Sequence, residues 1–229
     1  MYSKPTMKQR VLLRGQQGLE LLHRISSADI LGLSANEQRT GLILNPQGKI
    51  ESFFEILRLN DESAEIRFED GFLSRLEHYT FAEKYSIEAL EPSLLSEIPM
   101  LERIRSLVPK EGFEFQPDGS TNPLEVNLRS AIADQKGCYP GQEVIEKIIS
   151  LGSPARRLCH LKNTNRANAT VANPVTPPLV AIDDAGNPVG TLTSACEGEG
   201  LAILKRTHCK AGQKVYISGQ EWLVEKVAP

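Results

Sequence analysis

The sequence predicts an α+β protein that ends in a small antiparallel β-barrel. Three observations carry the prediction. Roughly the first 90 residues read β-α-β-β-β-α-β by their apolar periodicity. About 75 residues at the end break into short apolar runs separated by turn signals. A helical stripe near 143–150 stands between the two regions. The expected domains are therefore 1–152, an α+β unit, and 153–229, a C-terminal barrel.

Val11–Gly15 reads as a strand, and Gln16–Ile25 follows with Leu19, Leu21, Leu22 and Ile25 on a helical stripe. Thr40–Leu44 is an apolar strand, and Asn45-Pro46-Gln47-Gly48 is a turn by composition. Lys49–Leu59 is a strand centred on Phe53, Phe54, Ile56 and Leu57. Asn60–Ser63 turns the chain again, and Ala64–Phe68 alternates as a third strand of an antiparallel meander. A helix follows from Asp70-Gly71 to about Tyr79, with Phe72, Leu73, Leu76 and Tyr79 on one side. Tyr85–Leu90 is a further strand.

Prolines at 92, 99 and 109 interrupt the next stretch, in which Leu101–Leu107 fits either a helix or a strand. Lys110–Pro123 is loop-like, and Leu124–Ala133 delivers the chain to a glycine-flanked cysteine. Glu143–Ser150 places Val144, Ile145, Ile148 and Ile149 on one helical face, and Gly152 can end that helix. The barrel strands are expected at Arg157–Leu161, Leu179–Ile182, Pro188–Thr193, Leu201–Leu204, Lys214–Ile217 and Glu221–Val227, with a surface loop over Asn163–Asn173.

Composition bounds the function. The chain has 229 residues, 40% apolar and 24% charged, which belongs to the soluble globular class. The net charge of −3 creates no long-range field for nucleic acid, and no direct nucleic-acid partner is expected. No apolar run approaches the ~20 residues of a membrane helix. The basic start, Met1–Arg10, leads into no signal-peptide core, so a cytoplasmic location is expected. The four cysteines, Cys138, Cys159, Cys196 and Cys209, form no CxxC pair, and no metal site is expected. Cys159-His160 and His208-Cys209 would make a metal site only by meeting in space. The plainer reading is small residues on strands.

The richest local chemistry lies in Lys136-Gly137-Cys138-Tyr139-Pro140-Gly141-Gln142-Glu143. A thiol acts as nucleophile or ligand when it is a thiolate, which a nearby cation or a helix N-terminus favours. Lys136 offers the cation, and the helix opening near Gln142 offers the dipole. Gly137 and Gly141 allow close approach to the backbone. The alternative reading is a cysteine that fills space beneath a turn. For Gln142 and Glu143 the alternatives are ligand hydrogen bonding and capping of the helix.

KGCYPGQE resembles the signature K-G-C-[YF]-x-G-Q-E of the YgfZ family, folate-binding proteins related to the glycine-cleavage aminomethyltransferase (T-protein). Other segments are similar to that family as well: Leu42–Ile50 to its strand-turn-strand, Arg103-Ile104 with Val108-Pro109, Gly112 and Glu114 to its R-I…G-x-E segment, Pro123–Leu128 to the lead-in, and Gly190-Thr191-Leu192-Thr193-Ser194 to its barrel strand. The chain departs from the family in a shortened middle near 90–103. Leu107 stands in place of a glycine. Arg105 stands where the transferases carry an acidic residue that helps hold the pterin. Ser52 and Phe53 stand where they carry a catalytic carboxylate.

The resemblance implies a tetrahydrofolate-binding accessory protein that supports maturation or repair of iron–sulfur enzymes. Its partners would be folate and iron–sulfur client or assembly proteins. It implies Cys138 as the functional thiol with Lys136 beside it. The folate-binding set would be Arg103, Glu114, Lys136, Tyr139, Gln142 and Glu143, with Lys136 or Arg156 for the glutamate tail. The missing carboxylate argues against an active aminomethyltransferase, which stays as the first alternative. A scaffold that no longer binds folate is the second.

Overall fold

The computed structural model describes residues 7–69, 71–94, 98–164 and 176–229. The first six residues, Asp70, and most of the loop expected at 163–173 lie outside the described residues. The chain divides into two compact units.

The first unit comprises residues 1–97, 116–122 and 129–147. Its elements are β1 (Met7–Arg14), α1 (Gln16–Ile25), β2 (Gln38–Leu44), β3 (Ile50–Asn60), β4 (Ser63–Phe68), α2 (Phe72–Tyr79) and β5 (Ser86–Leu94). The five strands form one sheet in the order β2-β3-β4-β1-β5, with every neighbouring pair antiparallel. The expected meander is thus β2-β3-β4, and β1 inserts between β4 and β5.

Alternation along each strand sorts the two faces of this sheet. Val11, Leu13, Phe54, Ile56 and Ile66 face Leu19, Leu22 and Ile25 of α1 and Phe72 and Leu76 of α2 in one buried cluster. The other face carries charge. Lys8 pairs with Glu55 at 2.9 Å, Arg10 grips Glu65 at 3.0 and 2.9 Å, and Arg67 meets Glu65 at 2.7 Å. The hydrogen bond from Arg10 chiefly holds the Glu65 carboxyl below its ordinary pKa.

The second unit comprises residues 98–115, 123–128 and 148–229. It contains α3 (Met100–Arg105), a 3-10 turn at Pro123–Val126, and strands β6 (Arg156–Asn163), β7 (Leu179–Ile182), β8 (Pro188–Cys196), β9 (Glu199–Lys205), β10 (Lys214–Ile217) and β11 (Gln220–Val227). The strands close into a barrel in the order β10-β11-β6-β9-β8-β7. All six expected runs are strands of this barrel. Its interior packs around Trp222 with Leu161, Leu192, Leu204, Val215 and Ile217.

The last change from the first unit to the second falls at Lys147–Ile148, ahead of the expected 152/153 boundary. Two earlier segments also cluster with the barrel: in 98–115, Ile104 and Leu107 bury against Leu158, Leu201 and Ala228, and in 123–128, Glu125 pairs with Arg156 of β6. That burial also resolves the ambiguous 101–107 stretch as helix followed by a turn. Helix α4 (Gln142–Ser150) carries the chain from the first unit to the second. Its expected apolar stripe is only partly covered: Ile145 is fully buried, while Ile149 is 42% exposed.

Candidate functional site

The Cys138 turn is fixed to the first unit from both sides. Upstream, Ser27 holds the approach. Its hydroxyl donates to the Ala131 carbonyl at 2.6 Å, and its own carbonyl accepts the Ala133 N–H at 2.9 Å. The Lys136 ammonium then donates to the carbonyls of His23 and Ser26. These carbonyls belong to the C-terminal end of α1, where backbone acceptors lack helical partners and a cation is favoured. Lys136 is therefore a helix cap.

The same ammonium sits 5.1 Å from the centre of the Tyr139 ring, a cation–π contact that seats Tyr139 in a buried position. Burial lowers the Lys136 pKa to about 8 and pushes the Tyr139 phenol up to about 12. The cation that the sequence offers to Cys138 is thus engaged with α1 and with Tyr139.

Downstream, Gly141 packs on the Asn45–Gly48 turn. Gly141 and Gly48 both adopt left-handed backbone, with φ of 79° and 68°. A Cβ on Gly141 would lie 2.5 Å from the Asn45 carbonyl oxygen. The Asn45 side chain builds its own turn by accepting the N–H groups of Gln47 and Lys49 at 3.0 and 2.9 Å. Asn122 donates to the Gly48 carbonyl at 3.1 Å, and Ile50 donates to the Thr121 carbonyl at 2.9 Å. The strand-turn-strand at 42–50 and the cysteine turn are thus one packed assembly.

On that frame Cys138 is a free, exposed cysteine. It is not the space-filling residue that the plainer reading allows. It precedes the first residue of α4 by four positions in the chain. Gln142 donates to Glu146 at 2.6 Å, one turn along the exposed side of α4, and Glu143 is exposed in the first turn of that helix.

Arg103 and Glu114 belong to the second unit, where they close on each other at 2.6 Å with side chains 6% and 0% exposed. Arg103 also donates to Ser194 Oγ at 2.5 Å and to the Val108 carbonyl at 3.1 Å. The Glu114 carboxylate accepts from Thr193 Oγ1 at 2.8 Å, Ser194 Oγ at 2.6 Å and the Lys110 N–H at 2.9 Å. The R-I…G-x-E segment and the T-S of the barrel strand are therefore two halves of one buried polar network. Both Glu114 oxygens are occupied, so the carboxylate expected to face a pterin has no lone pair turned outward for one.

Arg156 is paired as well, to Glu125 at 3.1 and 3.3 Å. Arg105, which stands in place of an acidic residue, forms a bidentate pair with Glu199, including a 2.5 Å contact. His160 Nε2 meets the same carboxylate at 2.8 Å. These contacts, that of Arg105 first, hold the Glu199 carboxyl down at about 2. Leu107, which stands in place of a glycine, takes the left-handed φ of 54° that a glycine accepts more easily. Its burial beside Ile104 and Leu158 compensates.

At the position of the transferase carboxylate, Ser52 is fully buried, and Phe53 lies on the opposite face with Lys8 5.5 Å from its ring. Glu51 is paired with Arg75 at 3.4 Å. Sequence reasoning missed Asn45, Ser27 and Asn122 as holders of the cysteine turn. Only the asparagine-and-glycine composition of 45–48 hinted at any of them.

Residues 156–227 match the family model described as CAF17, C-terminal beta-barrel domain. The crystal structure of glycine cleavage system aminomethyltransferase T from Bartonella henselae is similar in fold, with a TM-score of 0.80 and 16% sequence identity over 97% of this chain and 83% of that one. No curated protein matches the chain in sequence. The barrel match and the shared fold agree with the resemblance that KGCYPGQE carries.

Proposed function

We propose that this chain, with its CAF17-type barrel and aminomethyltransferase-like fold, is a folate-linked accessory protein for iron–sulfur enzymes that works through the Cys138 thiol. The observation that supports this reading most is the exposure of Cys138 on a turn anchored through Lys136, Tyr139 and Gly141. Lys136 caps α1, Tyr139 is buried, and Gly141 packs on Asn45 and Gly48. A turn anchored on both sides of an exposed thiol presents that sulfur at a defined place to a partner. No helix among the described residues is long and apolar enough to cross a membrane.

Arg103 and Glu114, first expected beside the pterin, pair with each other and with the barrel hydroxyls. Tetrahydrofolate remains the ligand class that the KGCYPGQE resemblance implies. Aminomethyl transfer lacks a carboxylate at Ser52 and Phe53 to assist at the folate nitrogen. The closed Arg103–Glu114 network favours one second reading, a scaffold that has given up folate.

Complementation tests the thiol. In a strain lacking the gene, Cys138→Ser is expected to restore iron–sulfur enzyme activity no better than empty vector, whereas rescue equal to wild type would remove Cys138 from the mechanism. Calorimetry with tetrahydrofolate separates the two readings. Saturable heat supports the folate-linked protein, and no binding at millimolar ligand supports the scaffold.

A further inference from the structure

The barrel gathers cations at one end of its wall. Arg156 at the start of β6 and Lys205 at the end of β9 are direct cross-strand partners. Cys159 and Leu204 pack into the barrel interior. Arg156 and Lys205 each stand an odd number of positions from them, so both side chains leave the wall on its outer face. From Lys205 the chain enters the 3-10 turn Arg206–His208, and the Arg206 N–H donates to the Ala155 carbonyl at 2.9 Å. Lys210 follows directly after the Cys209 N–H closes that turn on the Arg206 carbonyl at 3.3 Å.

Like charges directly opposite one another destabilise a strand pair, and here they are only partly offset. Arg156 shares Glu125 at 3.1 Å, and its side chain stays 50% exposed. Lys205 Nζ donates to the Pro188 carbonyl at 2.7 Å, which steadies the side chain without cancelling its charge. Arg206 and Lys210 are exposed, and neither forms an ion pair among the described residues. His208 turns to Asp183 at 4.0 Å. The segment Lys205–Lys210 thus carries three cations of Lys or Arg type and no acid, in a chain whose net charge is −3. Within the barrel this concentration is a cost, and an anionic partner removes it.

The surroundings select the kind of anion. Segments 151–157 and 205–210 contain no Phe, Tyr or Trp, so this end lacks the stacking platforms with which proteins hold single-stranded nucleic acid. It does offer apolar surface. Leu151, four positions before Ala155 and in the same unit, is 70% exposed, and Ala155 is exposed as well. Carboxylates interleaved with an apolar side chain match that combination, whereas a phosphate backbone has nothing to place on Leu151.

We propose that the end of the barrel carrying Arg156, Lys205, Arg206 and Lys210 is a docking surface for an acidic segment of a partner protein, with Leu151 offered to an apolar side chain of that segment. The partner's carboxylates pair with the guanidinium forks and the ammonium groups. Their attraction speeds encounter and makes the association sensitive to salt. The surface requires neither Cys138 nor folate.

The test is fluorescence anisotropy on the purified full chain with three labelled probes of equal length: a peptide of repeated Glu-Glu-Leu, its Gln-Gln-Leu counterpart, and single-stranded RNA. The acidic peptide should bind, and its affinity should fall as salt is raised from low ionic strength to about 0.15 M. The Gln-Gln-Leu peptide should bind at least ~10-fold more weakly, a comparison made on the native sequence that depends on no variant folding. The chain with Arg206→Glu and Lys210→Glu should lose affinity for the acidic peptide by ~10-fold or more, with a melting temperature within about 4 °C of wild type. The chain with Lys162→Glu and Lys226→Glu, the same change in net charge on exposed residues of β6 and β11, should stay within about twofold of wild type. Three results would overturn the proposal: no binding of the acidic peptide at millimolar concentration, equal losses in the two double variants, or tighter binding of the RNA than of the acidic peptide.

Discussion

Gly141 lies backbone to backbone against Gly48, so close that a methyl group on Gly141 would stand 2.9 Å from the Gly48 Cα and 2.5 Å from the Asn45 carbonyl oxygen. Residues almost a hundred positions apart thus share one contact, and the cysteine turn depends on it.

Gly141→Ala should destabilise the protein by about 2–4 kcal/mol, combining overpacking with a left-handed backbone. Gly137→Ala is the control. An added Cβ there meets nothing within 4 Å, and its effect should stay within ~0.5 kcal/mol. Urea denaturation of the two variants checks the contrast. Equal effects would mean that the turn is not anchored through Gly141.

Glu114→Gln and Arg103→Met should each cost about 3–5 kcal/mol, since each strands a buried charge or its hydrogen-bonding partners. Trp222 is the sole tryptophan and is buried in the barrel, so its fluorescence follows the loss. Tetrahydrofolate affinity, measured on the folded fraction, should be unchanged. A large loss of affinity with intact stability would return these two residues to a ligand site.

Lys136 should give an alkaline signature. Its pKa is lowered from 10.5 to about 8 by burial. Between those values the unfolded chain binds more protons than the folded one, so this residue's contribution to stability increases as pH rises from about 8 towards 10.5. The stability difference between wild type and Lys136→Met should climb over that window and stay flat below it. A difference that is constant from pH 7 to 10 would show that the lysine is not desolvated.

Glu199 titrates in the opposite range. Its pKa is lowered from 4.5 to about 2, first by Arg105, so its stabilisation is full above the unfolded value and lost as pH falls through the folded one. Glu199→Gln should therefore cost about 1–3 kcal/mol at pH 7. The gap to wild type should shrink as pH drops from 4.5 towards 2. A pH-independent gap would mean that packing, not charge, is what Glu199 contributes.

The sequence by itself determined the architecture and the location of the exposed cysteine turn. Alternation at Ala64–Phe68, the stripe Leu19–Ile25, and the turns that punctuate the barrel strands are encoded within a few residues, because backbone period and turn chemistry are local properties. The Cys138 turn was legible for the same reason. What only the tertiary structure decided is where each polar group spends its hydrogen bonds. Lys136 stands two residues from Cys138 in the chain, yet it caps α1. Arg103 and Glu114 read as ligand contacts and instead bind each other and Ser194. Cys159 and Cys209 both enter the barrel interior, while His160 turns to Glu199. These outcomes follow from strand register and from contacts between segments far apart in the chain. A one-residue shift turns a side chain to the other face of a sheet or barrel, and no local pattern records which distant partner it will find there.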